Sequence, residues 1–124
     1  MTNHCNFDVF QPLCPARAFF EKFADKWVLL IIYRLYQNAL HFNELKKSLE
    51  GISPKVLSQK LKILERDGFI SRTIHENNII RVEYALTNLG IEFTQTALSF
   101  KTWAEENVQH VLIAQQQFDI TQSK

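Results

Sequence analysis

The stretch that most constrains this fold is ISPKVLSQKLKILERDGFISR, Ile52 to Arg72. Ser53 suits a helix N-cap, and Pro54 suits the first helical position, where its missing N–H has no partner to lose. Leu57, Leu61 and Leu64 then recur at helical spacing, widened by Val56 and Ile63. Gly68 stops the helix, and FISRTI after it alternates apolar and polar residues as a strand does. A helix with one leucine stripe must lie on a core, so its opposite face must look outward. On a wheel of about 100° per residue that face holds Lys55, Ser58, Gln59, Lys62 and Arg66. Lys60 falls instead beside the apolar stripe, along which its aliphatic stem can lie.

The flanking segments supply the rest of the architecture. CPARAFFEKFADKW reads as a helix with Cys14 at the N-cap, Pro15 in first position, and Ala16, Phe19, Phe20 and Phe23 as one stripe. A second helix, about Lys26 to Tyr36, gathers Trp27, Leu30, Ile31 and Leu35. After the break at QNAL, His41-Phe42 reads as a very short strand and Asn43 as the N-cap of NELKKSL, with Gly51 ending or following that helix. IRVEYAL alternates like FISRTI, and the turn-like HENNI joins them as a hairpin. One long helix, about 88–117, then carries Leu89, Phe93, Ala97, Phe100, Ala104, Val108 and Val111 at steps of three or four. Gly90 weakens the helical pattern only near its start.

Two short helices joined through a tight glycine turn make a helix-turn-helix, and a hairpin directly after the second makes it winged. The expected fold is therefore mainly α with a small β-hairpin wing. Residues 1–13 are expected as a loosely ordered arm, and 14–124 as one domain.

Composition narrows the function classes. With 46% hydrophobic and 22% charged residues the chain is an ordinary globular one. No apolar run has the length to span a bilayer and the N-terminus lacks a signal-peptide layout, so a cytoplasmic protein without membrane partners is expected. His4, His41, His75 and His110 have no paired spacing to Cys, Asp or Glu, and no metal or other cofactor is expected. Only three glycines occur, and no phosphate loop, nucleophile elbow or carboxylate pair appears, so the chain is not expected to be an enzyme.

Net charge is +1, yet Lys46, Lys47, Lys55, Lys60, Lys62 and Arg66 face only Glu50 and Glu65 between positions 46 and 66. A charged helix face is most often merely solvated. This one combines unbalanced cations with Ser and Gln, and that is the mixture double-stranded DNA requires. Lysine and arginine neutralise phosphates, while Gln, Ser and Arg or Lys reach base edges. Ser53, Lys55, Ser58, Gln59 and Lys62 lie toward the helix N-terminus, the part that enters a major groove first.

CP near the N-terminus, DKW opening a helix, HFNELKKSLEGISPKVLSQKLKILERDGFISR and RVEYALTNLG together resemble the HxlR-type winged helix-turn-helix regulators, relatives of the MarR group. The resemblance spans about Cys14 to Trp103. It implies a bacterial homodimeric transcription factor, with Ser53, Lys55, Ser58, Gln59 and Lys62 in the recognition segment and Arg81 as the arginine at the wing base. It also implies, for several members, a response to electrophiles or oxidants through the cysteine before the first proline. The chain departs from the family pattern at Ala24-Asp25, where Gly-Gly is usual, and at Ile79-Ile80, where a proline pair is usual.

Cys14 is accordingly the candidate redox-sensing residue. At a helix N-cap its sulfur would face unpaired N–H groups and the positive end of the dipole, with Arg17 about one turn on. The alternative is an inert capping residue. Cys5 is a candidate resolving thiol, or simply an exposed one.

The long last helix carries more apolar surface than a single small core can cover. Pairing with a second copy through the first and last helices, by Phe19, Phe20, Phe23, Phe93, Phe100, Trp103, Val108 and Val111, would cover it and set two recognition helices about 34 Å apart on a pseudo-palindromic operator. Two other readings stay open. One is a regulator switched by a small molecule held non-covalently between the dimer helices. The other is a winged-helix module that binds protein and not DNA.

Overall fold

The computed structural model describes residues 6–76 and 80–123. Along the chain lie α1 (Pro15–Phe23), α2 (Lys26–Gln37), β1 (Leu40–His41), α3 (Phe42–Ser48), α4 (Pro54–Arg66), β2 (Ile70–Glu76), β3 (Ile80–Leu86) and α5 (Asn88–Gln122). The strands form one antiparallel sheet in the order β1-β3-β2. Leu40 pairs with Tyr84 and His41 with Glu83, while Ile70 to Glu76 run opposite Leu86 to Ile80. This is the winged helix-turn-helix expected from the sequence, with α3 and α4 as its two short helices and β2–β3 as the wing.

Packing follows the apolar periodicities. Val28, Ile31, Ile32 and Leu35 of α2 meet Leu45 of α3 and Leu57, Leu61 and Leu64 of α4, with Ile70 and Tyr84 closing the core from the sheet. The turn between α3 and α4 depends on Gly51, whose φ of +91° lies in the left-handed region. Past α4 the chain closes a Schellman motif. Gly68, at φ +85°, donates to the Glu65 carbonyl, and the Phe69 N–H donates to the Leu64 carbonyl at 2.9 Å. That motif fixes the angle at which the recognition-type helix hands over to the wing.

Gly90 has a structural reason. A Cβ there would lie 2.1 Å from the Phe69 carbonyl oxygen. The first turn of α5 is docked on the α4–β2 turn, with Thr87 Oγ1 donating to the Gly68 carbonyl and accepting from Gly90 N–H.

Several expectations are corrected. α3 begins at Phe42 and not after Asn43, because the Glu44 carboxylate accepts from the His41 N–H at 2.8 Å and places His41 at the cap. α5 runs to Gln122, five residues past the expected end. Phe19, Phe23 and Phe93, expected at a subunit interface, surround Phe69 within their own subunit, with ring centroids 4.4 to 5.7 Å apart. Phe23 is 6% exposed and has little surface to offer a partner. The remaining proposed interface residues, Phe20, Phe100, Trp103, Val108 and Val111, are all exposed. From Ser99 to Ser123 every residue but Asn107 is exposed, so the distal part of α5 projects from the core. Within the arm, residues 8–13 are hydrogen-bonded turns, with Gln11 N–H to the Asp8 carbonyl and Cys14 N–H to the Gln11 carbonyl. Cys5 and Ile79 lie outside the described residues.

Candidate nucleic-acid interface

The site is one face of α4. The helix starts where the Ser53 hydroxyl accepts from the Val56 N–H at 3.1 Å, with Pro54 in its first turn. Burying Leu57, Leu61 and Leu64 turns Lys55, Ser58, Gln59, Lys62 and Arg66 into solvent, and all five are exposed. Ser53 is exposed as well, at the start of the helix, with its hydroxyl engaged as the cap. Among the described residues neither Lys55, Lys62 nor Arg66 is in an ion pair. By contrast, Arg17, Lys22, Lys60 and Lys101 each have a carboxylate within 4 Å. A row of unneutralised cations with amide and hydroxyl groups between them is a surface fitted to phosphates and base edges. Arg81 stands exposed on β3, opposite His75 of β2. The same outer sheet face holds His75 Nε2 3.4 Å from a Glu83 carboxylate oxygen.

Lys60 behaves differently from the rest. It is half-buried beside the leucine stripe, as its wheel position predicts, but its ammonium donates to Asp25 at 2.7 Å. Asp25 was not among the site residues expected from sequence. The available signal was an acid immediately before Lys26-Trp27, the position of an N-cap. Its other oxygen accepts from the Trp27 and Val28 N–H groups. Burial alone would raise its pKa. The Lys60 ammonium and the Val28 and Trp27 N–H groups outweigh that and hold the carboxyl below its ordinary value of 3.8.

Cys14 occupies the N-cap position of α1, but its sulfur does not cap the helix. Sγ accepts from the Asp8 N–H at 3.2 Å, because the arm folds back over it. Arg17, expected to act on the thiol, has other partners. Its guanidinium donates to the Phe10 carbonyl at 3.1 Å and sits 3.7 Å from Glu21. Cys14 remains half-buried and free.

A third feature is an open groove of about 860 Å³ between α2, the end of α3 and α5, with Trp27, Leu30, Tyr33, Leu49 and Phe100 along it. Tyr33 donates its hydroxyl to the Ala97 carbonyl at 2.8 Å, and burial pushes its pKa up. Among the described residues no cluster of His, Cys, Asp or Glu fits a metal, and no helix is long and apolar enough to cross a membrane.

Comparison with known proteins agrees with this geometry. A family profile described as HxlR-like helix-turn-helix matches residues 23–112. The uncharacterized HTH-type transcriptional regulator YtfH of Escherichia coli (strain K12) is 32% identical over 105 residues, covering 85% of this chain and 83% of that protein. The solved structure of the transcriptional regulator ytfH from Salmonella typhimurium superposes with a TM-score of 0.84 at 31% identity, over 90% of this chain and 99% of the other. The redox regulator HypR in its reduced form superposes with a TM-score of 0.72 at 28% identity, over 81% and 98%. The profile covers most of the chain, and these relatives are regulators and not enzymes, so the protein is a helix-turn-helix transcriptional regulator belonging to the HxlR-like family.

Proposed function

We propose that this protein acts as a cytoplasmic homodimer that binds double-stranded, pseudo-palindromic DNA through two copies of the outward face of α4, with Arg81 at the wing. One observation carries the reading: Lys55, Ser58, Gln59, Lys62 and Arg66 form a continuous exposed row whose cations have no carboxylate partner among the described residues. Dimerisation rests on the projecting half of α5. Its exposed Phe100, Trp103, Val108 and Val111 form an apolar surface that a second copy would cover. The electrophile or oxidant response is assigned to Cys14, a free thiol at the joint between the arm and α1. The likeness to HypR, which is described as a redox regulator, supports that assignment.

The groove between α2 and α5 favours a second reading, in which a non-covalent aromatic ligand replaces thiol chemistry as the switch. Its volume of about 860 Å³ falls within the range of small-molecule sites.

The test is titration of fluorescent promoter DNA from beside the protein's own gene at two salt concentrations, before and after diamide or a quinone. Affinity that falls steeply with salt, and that treatment changes in the wild type but not in Cys14→Ser, is the expected result. Binding indifferent to oxidant would remove Cys14 from the reading. Absence of any sequence preference would overturn DNA binding and leave a protein partner as the target.

A further inference from the structure

Every ion pair that joins one helix to another, among the described residues, converges on α4. Lys60 on the helix binds Asp25 at 2.7 Å, and Asp67, the C-cap residue, binds Lys22 at 3.2 Å. The remaining carboxylate pairs lie within α1, within α5 or between the wing strands. Lys22 lies in the last turn of α1 and Asp25 caps α2, so both partners sit on one corner, three residues apart.

We infer that this corner is a two-point clamp that sets the seating of the DNA-reading helix, with Asp25, Lys60, Lys22 and Asp67 acting as positioning residues and not as DNA contacts. The inference rests on the DNA-binding reading above.

Wheel geometry supports it. With Leu57 at zero, Lys60 and Asp67 fall at about −60° and −80°, on one flank of α4, seven residues and roughly 10 Å apart along the axis. The outward row from Lys55 to Arg66 lies at about +100° to +200°, on the other side. The leucine stripe buries apolar area, which is non-directional and fixes rotation about the helix axis only loosely. Hydrogen-bonded charges are directional. The two pairs also have opposite polarity, a lysine on the helix at one point and an aspartate at the other, so only one seating satisfies both.

Neither pair is a fully solvated surface contact, since Lys60 and Asp25 side chains are 23% and 31% exposed and Lys22 and Asp67 are 40% and 23% exposed. Asp25 is anchored in turn, because its second oxygen accepts from Trp27 N–H and Val28 N–H. The charge on Lys60 is thus tied to the backbone of α2 itself.

The experiment turns on a sign. Removing an acid from a DNA-binding protein raises its affinity for DNA by long-range electrostatics alone. If Asp25 and Asp67 position α4, removing their charges should do the reverse. Promoter DNA from beside the protein's own gene is titrated with the full-length wild type, Asp25→Asn, Asp67→Asn and Lys60→Arg, well below each unfolding midpoint. Asparagine keeps the capping oxygen at position 25. Asp25→Asn and Asp67→Asn are expected to weaken binding about 5-fold or more with the slope of log affinity against log salt unchanged, while Lys60→Arg stays near wild type. Equal or tighter binding by both asparagine variants would overturn the clamp. If one variant does not fold, the other still decides the sign. Lys60→Met supplies a second check: a slope reduced by about 0.9 would mean that Lys60 touches a phosphate, and that too would overturn the inference. If the wild type shows no salt-dependent DNA binding, the DNA reading fails first. If the wild type binds and the variants do not weaken it, the clamp alone fails.

Discussion

Replacing Gly90 by alanine tests whether α5 is docked as closely as its first turn indicates. Helix propensity alone predicts a gain, because alanine is favoured over glycine by about 1 kcal/mol inside a helix. The packing predicts the opposite. The new Cβ would sit 2.1 Å from the Phe69 carbonyl oxygen and 3.1 Å from Leu86 Cδ2. A carbon to oxygen contact relaxes only near 3.3 Å, so the two backbones must part by roughly 1 Å. No rotamer change relieves a clash with a carbonyl. The same separation strains the Thr87 N–H bond to that carbonyl, at 3.0 Å, and the 2.6 Å bond from the Thr87 hydroxyl to the Gly68 carbonyl. Overpacking of this kind costs about 1–3 kcal/mol, and a lost hydrogen bond about 1. The last figure cancels the helix gain, leaving a loss of about 2 kcal/mol. For a chain of this size that corresponds to a fall of roughly 8 °C in Tm. The assay is thermal and urea unfolding of both proteins at one fixed concentration. A Gly90→Ala protein as stable as the wild type, or more so, would show that α5 and the α4–β2 turn do not meet as described.

Other substitutions separate the two sides of α4. Leu61→Ala, at a position 1% exposed, should lose about 2–5 kcal/mol in urea unfolding, whereas Gln59→Ala should change stability by under about 0.5 kcal/mol while weakening DNA binding. Ser53→Ala removes the cap on the Val56 N–H and should cost about 1 kcal/mol, read as a lower urea midpoint. The folded Asp25 carboxyl is held below 3.8, so its charge contributes stability above the unfolded value that is lost as pH falls through the lower folded value. The stability difference between wild type and Asp25→Asn should therefore shrink as pH drops below about 4. Arg17→Ala should speed alkylation of Cys14 by iodoacetamide, counted on its own peptide by mass spectrometry, because it releases the Phe10 carbonyl and loosens the arm. Slower alkylation would restore Arg17 as an activator of the thiol.

What the sequence made legible was local. Ser53-Pro54, the leucine spacing and Gly68 announce the start, stripe and end of α4 because each acts within a few residues. The outward face follows from the same period, so the candidate site was readable before the fold. Pairings across the chain were not. Phe19, Phe23 and Phe93 are apolar at helical spacing, which says that they are covered but not by what. Their cover is Phe69, from the strand after α4. The buried row of α5 is Gly90, Thr94 and Ala97, two of which no hydrophobic count selects. Thr94 is wholly buried because its hydroxyl donates to the Gly90 carbonyl. Asp25 and Lys60 are 35 positions apart, and nothing local in either segment points to the other.

The direction of a side chain is hidden in the same way, and Cys14 is where that matters most. A cysteine before a proline at a helix start is readable from the sequence, whereas the path of its sulfur depends on how residues 8–13 fold. Here the Asp8 N–H reaches the sulfur and Arg17 holds the Phe10 carbonyl, so the arm lies over the thiol with two separate hold points. A modification at Sγ would have to break the first of these and would act on the N-terminal end of α1. The C-terminal end of that same nine-residue helix carries Lys22, paired with Asp67 at the end of α4. A helix is stiff over nine residues, roughly 13 Å, so a displacement at the cysteine end would reach the α4 contact without a chain of intermediate side chains. If Cys14 senses and α4 reads DNA, as proposed, a single element joins the two, and Lys22 is the residue through which they would be uncoupled.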